Sequence, residues 1–120
     1  MVFPRVDIVY AYLGADSVMV QALLDAGAKG IVVAGAGAGA TTPAQGAALR
    51  RARDRGVAIV TASRTGSGSV GGGGGRGGQP GQGAQLAAGD LTPQKARIRL
   101  MLALVQSTDP ADVARRFTER

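Results

Sequence analysis

The sequence predicts an α/β fold, a three-layer α-β-α arrangement with a small parallel sheet of three to four strands and about four helices. Three observations carry this prediction. Short apolar runs rich in β-branched residues recur at Val6–Tyr10, Gly30–Ala34 and Ala58–Ala62, and helical patterns separate them. The second run is apolar on both faces, as a strand covered on both sides is. Only 3% of the residues are aromatic against 45% hydrophobic overall, so the core is built of Val, Leu, Ile and Ala. At 120 residues the chain fits one domain, 1–120, long enough to bury a core without staples.

Val6–Tyr10 reads as the first strand. Asp16 then stands where a cap belongs, ahead of SVMVQALLD. Val18, Leu23 and Leu24, widened by Val20 and Ala22, give that helix its expected buried face, and Gly27 ends it. Gly30–Ala34 is the second strand. The turn Gly35-Ala36-Gly37-Ala38-Gly39-Ala40 follows, and Thr42-Pro43 opens a helix that runs to about Arg55 and stops at Gly56. Ala58–Ala62 is the third strand. Short connections between buried strands point to right-handed crossovers.

The rhythm breaks at Gly66–Gly83, where eleven of eighteen residues are glycine. Ordering each backbone residue costs about 1–2 kcal/mol, with glycine at the expensive end, and no large side chain except Arg76 compensates. This segment, 66–83, is expected to be a flexible loop. Gln85–Ala88 is a candidate edge strand. Thr92 caps and Pro93 starts a helix to about Gln106, with apolar stripes at Ile98, Leu102, Val105 and at Leu100, Met101, Leu104. Asp109-Pro110 opens a last amphipathic helix over Ala111–Phe117, in which Val113 and Phe117 share a face.

Composition excludes several chemistries. The chain has neither cysteine nor histidine, so disulfides, thiol catalysis, histidine triads and histidine metal ligands are ruled out within it. No run reaches the roughly 18 apolar residues of a membrane span, and the first residues lack the pattern of a secretory leader, which favours the cytoplasm. The net charge of +6 raises an anionic partner as a possibility. Arg50, Arg51, Arg53 and Arg55, however, crowd a helix carboxyl end, where cations simply compensate the dipole. Lys95 and Arg97 stand in a first helical turn, where the dipole disfavours them, and Asp90 is a candidate partner. Asp7 is a candidate partner for Arg5. The other carboxylates fall mostly at caps and helix ends, and none forms a paired acid/base site.

Two constellations remain. The strand–GAGAGA–helix unit lets backbone approach a ligand at a helix N-terminus. It lacks the full dinucleotide glycine spacing, the acidic ribose partner and any Gly-Lys-Ser/Thr. The hydroxyls of Ser63, Thr65, Ser67 and Ser69 follow the third strand without a base beside them in sequence.

Four stretches, VDIVYAY, DAGAKGIVVAG, ARDRGVAIVTASRTGSG and AAGDLTPQKARIRLMLAL followed by DP, resemble the C-terminal domain of bacterial-type L-asparaginases in order and spacing. The wording of Gly89–Arg97 is similar to the family's G-x-L-x-P-x-K-A-R signature. The resemblance implies hydrolysis of L-asparagine, and often glutamine, to the acid and ammonia. It implies no metal and no cofactor. The family's catalytic threonines, aspartate and lysine lie in a larger N-terminal domain with T-G-G-T-I-type and T-D-type motifs, so the resemblance places no catalytic residue in this chain. It implies that this domain serves subunit assembly and lends polar groups to a neighbour's site from the turn after the second strand. Those positions are Gly37, Ala38, Gly39 and Ala40: the glycines are kept, while Ala38 stands at the family's asparagine and Ala40 also lacks a polar side chain. The implied partners are other copies or a catalytic N-terminal domain, with an amino acid amide bound only in the completed site. The alternative is a non-enzymatic module binding phosphate or nucleic acid through the GAGAGA turn or the basic helix end.

Overall fold

Four runs of small and β-branched residues form four strands in the computed structural model: β1 (Val6–Tyr10), β2 (Gly30–Gly35), β3 (Ala58–Ser63) and β4 (Gln85–Ala87). Four helices join them in the order β1-α1-β2-α2-β3-β4-α3-α4: α1 (Val18–Asp25), α2 (Pro43–Asp54), α3 (Pro93–Gln106) and α4 (Pro110–Thr118). The structure describes residues 3–10, 17–35, 43–63, 83–89 and 91–118. The sheet order is β1-β2-β3-β4, and every neighbouring pair is parallel.

Alternation along the strands separates two cores. Val9, Ile31, Val33 and Ile59 point to one face, where they meet Val20 and Leu23 of α1 and Ala48, Leu49 and Ala52 of α2. Val6, Val32, Ala58, Val60, Ala62 and Leu86 point to the other, where they meet Ala96, Leu100 and Ala103 of α3 and Val113 and Phe117 of α4. The three layers expected from the sequence are therefore present. Small residues on the second face let α3 come close. A Cβ at Gly30 would stand 2.7 Å from Leu100 Cδ2 and 3.2 Å from Leu104 Cδ1.

The caps follow the sequence closely. Gly27 and Gly56 take left-handed φ values of +83° and +88°, which glycine adopts without a Cβ penalty. After α1, the Ala28 N–H donates to Leu23 O and the Gly27 N–H to Leu24 O; after α2, Val57 and Gly56 repeat the pattern onto Ala52 and Arg53. These are two Schellman endings. Thr92 Oγ1 accepts from the Lys95 N–H at 3.2 Å, with Pro93 in the first helical turn. Asp109 Oδ2 accepts from the Asp112 N–H at 3.0 Å and caps α4.

Some expectations change. Ser17, without a side-chain capping bond, is the N-cap of α1, and Asp16 lies outside the described residues. Val18 is 63% exposed and Ala22 also faces water, so the buried face of α1 is Val20 and Leu23 with Leu24 beside them. Of the two stripes on α3, only the one containing Leu100, Met101 and Leu104 meets the core, joined by Ala96 and Ala103. Ile98 and Leu102 face outward. The glycine-rich loop read over 66–83 lies outside the described residues except for its last member. Gly83 is buried: its N–H donates to Arg53 O at 2.8 Å, and its carbonyl accepts from Arg53 Nε at 3.3 Å. Arg53, expected to serve the dipole, thus holds the chain where it returns to the sheet as β4.

Candidate functional site

The carboxyl edge of the sheet is the place where a parallel α/β layer presents ligands. Register sets the strand ends side by side: Tyr10 pairs with Ala34, Gly35 with Ser63, and Thr61 with Ala87. Each of α1, α2 and α3 follows a strand and so begins on this edge, which brings three helix N-termini and their partial positive charge toward it. That polarity suits a carboxylate-bearing ligand.

The turn at 37–40 leaves from the centre of this edge. Gly37, Ala38, Gly39 and Ala40 lie outside the described residues, as do Arg64 to Ser69; the frame on either side of the turn is described. Gly35 closes β2 in a fully buried strand, and Pro43 begins α2. Gln45, in the first turn of α2, is 1% exposed, and its Nε2 donates to Tyr10 O at 3.2 Å. This bond ties the start of α2 to the end of β1 and so sets the span across which the turn must run. Sequence reasoning passed over Gln45. The available signal was one long polar side chain in the alanine-rich opening of a helix that must bury that face.

The described residues at this edge offer backbone groups and the hydroxyls of Tyr10 and Thr61, and no carboxylate or lysine lies on the described strand ends. Several ionisable side chains of the described residues serve structure elsewhere. Arg5 Nε donates to Asp7 Oδ2 at 2.7 Å, the pair expected from the sequence. Arg97 donates to Val6 O at 2.6 Å rather than to a carboxylate, and Asp90 lies outside the described residues. Hydrogen bonds from Arg116, Ser107 and Arg115 hold the Asp112 carboxyl at about 2, from an ordinary value of 3.8. The sequence does contain one Thr-Asp pair, Thr108-Asp109, and it is part of a helix cap rather than a nucleophile site. Among the described residues no group of three or more His, Cys, Asp or Glu could hold a metal ion, and no helix is long and apolar enough to cross a membrane.

The described fold is an open α/β domain with no self-sufficient catalytic group among the described residues. Residues 5–117 match the model of the glutaminase/asparaginase C-terminal domain, and the chain belongs to that family. It is 40% identical over 120 residues to L-asparaginase 2 of Bacillus subtilis, covering 97% of this chain and 30% of that protein. It is 38% identical over 117 residues to the glutaminase-asparaginase of Pseudomonas fluorescens, covering 97% of this chain and 32% of that protein. Among solved structures, it is similar to the probable cytoplasmic L-asparaginase of Campylobacter jejuni, with a TM-score of 0.82 at 35% identity. That match covers 99% of this chain and 38% of the other. The chain thus spans about a third of the length of these relatives.

Proposed function

We propose that this chain acts as the assembly and site-completing domain of an L-asparaginase. It joins a catalytic N-terminal asparaginase domain and further copies of itself, and it offers the turn at 37–40 to a neighbouring active site that hydrolyses L-asparagine to L-aspartate and ammonia. One observation carries the reading: the match to an asparaginase C-terminal domain extends from residue 5 to residue 117, while the chain covers only 30% of the Bacillus relative. The positive helix poles at the carboxyl edge support it, because the substrate carries an α-carboxylate. Ala38 and Ala40 supply only backbone groups, so this domain's part in the site is shape and backbone hydrogen bonding. The phosphate- or nucleic-acid-binding reading is not favoured, since residues 5–117 match an asparaginase domain and Arg53 holds Gly83. We read residues 1–120 as one domain and place it in the cytoplasm, the compartment named for the Campylobacter neighbour.

The test is ammonia release from L-asparagine in a coupled assay. The purified chain alone is expected to match the buffer control. Co-expression with the N-terminal portion of the Bacillus enzyme is expected to give a soluble complex with turnover. Turnover by the chain alone, or a soluble complex without any, would refute the proposal.

A further inference from the structure

We infer that a cavity at the amino edge of the sheet binds a small amphipathic monocarboxylate, with its acid group on Lys29 and its apolar body on Phe3, Leu104 and Val105. The inference goes beyond the asparaginase reading and does not depend on it. The 37–40 turn leaves from the opposite, carboxyl edge of the sheet. The cavity holds about 600 Å³, inside the ~300–1,000 Å³ range of small-molecule clefts.

The fold fixes the walls. Lys29 immediately precedes β2, and its main chain is anchored twice: its N–H donates to Arg5 O at 2.9 Å, and its carbonyl accepts from the Ala58 N–H at 3.1 Å. Helix α3 runs back from the carboxyl edge to this one, and Gly30 lets Leu104 settle on the start of β2. Leu104, Val105 and Thr108, beyond the helix end, therefore line the cavity together with Lys29. The chain has only two phenylalanines. Phe117 fills the core, whereas Phe3 is 52% exposed and lines the cavity, so about half of its surface remains for an apolar ligand.

Two polar side chains in this wall are uncommitted among the described residues. The exposed Lys29 ammonium forms no ion pair with a described residue, and the Thr108 hydroxyl forms no hydrogen bond with one. No carboxylate lines the cavity. A ligand carboxylate has lone pairs for both donors, and its bond to the ammonium is charge-assisted. The charge count selects among anions. Helices α1, α2 and α3 all end at this edge, so their negative poles face it, and α1 and α3 carry no basic residue in the last turn. A phosphate dianion would meet those poles with one lysine to balance it. A single negative charge is what Lys29 matches, and the remaining wall asks for an apolar body.

Calorimetric titration of the full chain with 4-phenylbutyrate tests this. Binding with Kd on the order of 100 μM to 1 mM is expected for a ligand of that size. Lys29→Met should weaken it about fivefold, while Lys29→Arg, which keeps the cation, should stay close to the parent. The neutral amide of the same acid should bind the parent and Lys29→Met alike. Phe3→Ser should weaken acid and amide together, and Lys95→Met, far along α3, should change neither. Lys29, Phe3 and Lys95 are exposed, so all four variants should keep the parent's circular dichroism spectrum. The acid at about ten times its Kd should raise the thermal midpoint by roughly 5 °C. Amide chemical shifts should move at Lys29, Gly56 and Thr108. No binding at about 5 mM acid, binding indifferent to Lys29→Met, inorganic phosphate binding as tightly as the acid, or shifts gathered at Tyr10 and Gly35 would overturn the inference. Such a failure would leave the asparaginase reading to the ammonia assay.

Discussion

Replacing Gly83 by alanine should be strongly damaging for a single added methyl. A Cβ there would stand 2.0 Å from Val57 O, 2.4 Å from Val57 C and 2.8 Å from Gly56 C. All three are backbone atoms, and they belong to the Schellman ending of α2, so no side chain can swing aside. Relief requires moving the 83–84 segment by more than 1 Å. That shift breaks the Gly83 N–H to Arg53 O bond of 2.8 Å and strains the Arg53 Nε to Gly83 O contact of 3.3 Å. It also disturbs the Ile59 N–H to Ala84 O bond of 2.8 Å that starts the β3–β4 ladder. Overpacking costs about 1–3 kcal/mol and each lost hydrogen bond about 1 kcal/mol, for a total near ~3–4 kcal/mol. At roughly 4 °C per kcal/mol, the melting temperature should fall by about 12–16 °C. Gly27→Ala is the internal control. Nothing lies within 4 Å of its Cβ and only the φ of +83° is penalised, so about 1–2 kcal/mol is expected. Circular dichroism melts of the two variants decide the matter. A Gly83→Ala midpoint within ~3 °C of the parent, or one no lower than that of Gly27→Ala, would refute the steric reasoning.

Two further outcomes follow from the caps and charges. Thr92→Ala removes the acceptor for the Lys95 N–H and should cost ~1 kcal/mol in urea unfolding, whereas Thr92→Ser should restore most of it. The Asp112 carboxyl titrates at about 2 in the folded chain against an ordinary 3.8, so its contribution is complete above about pH 4 and disappears as pH falls toward 2. Asp112→Asn should therefore be less stable than the parent at pH 6, and the difference between them should narrow between pH 4 and pH 2. A constant difference across that window would show that the arginine and serine contacts do not set the carboxyl's titration.

Local chemistry made most of the fold legible. Val6–Tyr10, Gly30–Gly35 and Ala58–Ser63 are strands because β-branched and small apolar residues fit a pleated layer covered on both faces. Thr92-Pro93, Asp109-Pro110, Gly27 and Gly56 mark helix ends because the conformation each requires is written in the residue itself. The candidate site was legible in outline as a strand–turn–helix unit, and the wording of Gly89–Arg97 supplied its family. Gln45 was not legible, because its partner is the Tyr10 carbonyl, 35 residues earlier in the chain. The position of Arg97 likewise resembled an ion-pair site until the fold brought the Val6 carbonyl to it.

The sequence by itself determined the element types, their order, the caps at Gly27, Gly56, Thr92 and Asp109 and the parallel sheet, since each follows from short-range sterics and hydrogen bonding. The tertiary structure alone decided which stripe of α3 is inside. Both stripes have the right period, and the choice was made by Gly30 and the alanines of β3, which leave room for Leu100 and Leu104 on one side and turn Ile98 and Leu102 to the surface. It also decided that Gly83, the last residue of a glycine-rich run, is a buried anchor. Packing against Val57, far away in sequence, sets that requirement, and no local pattern records it.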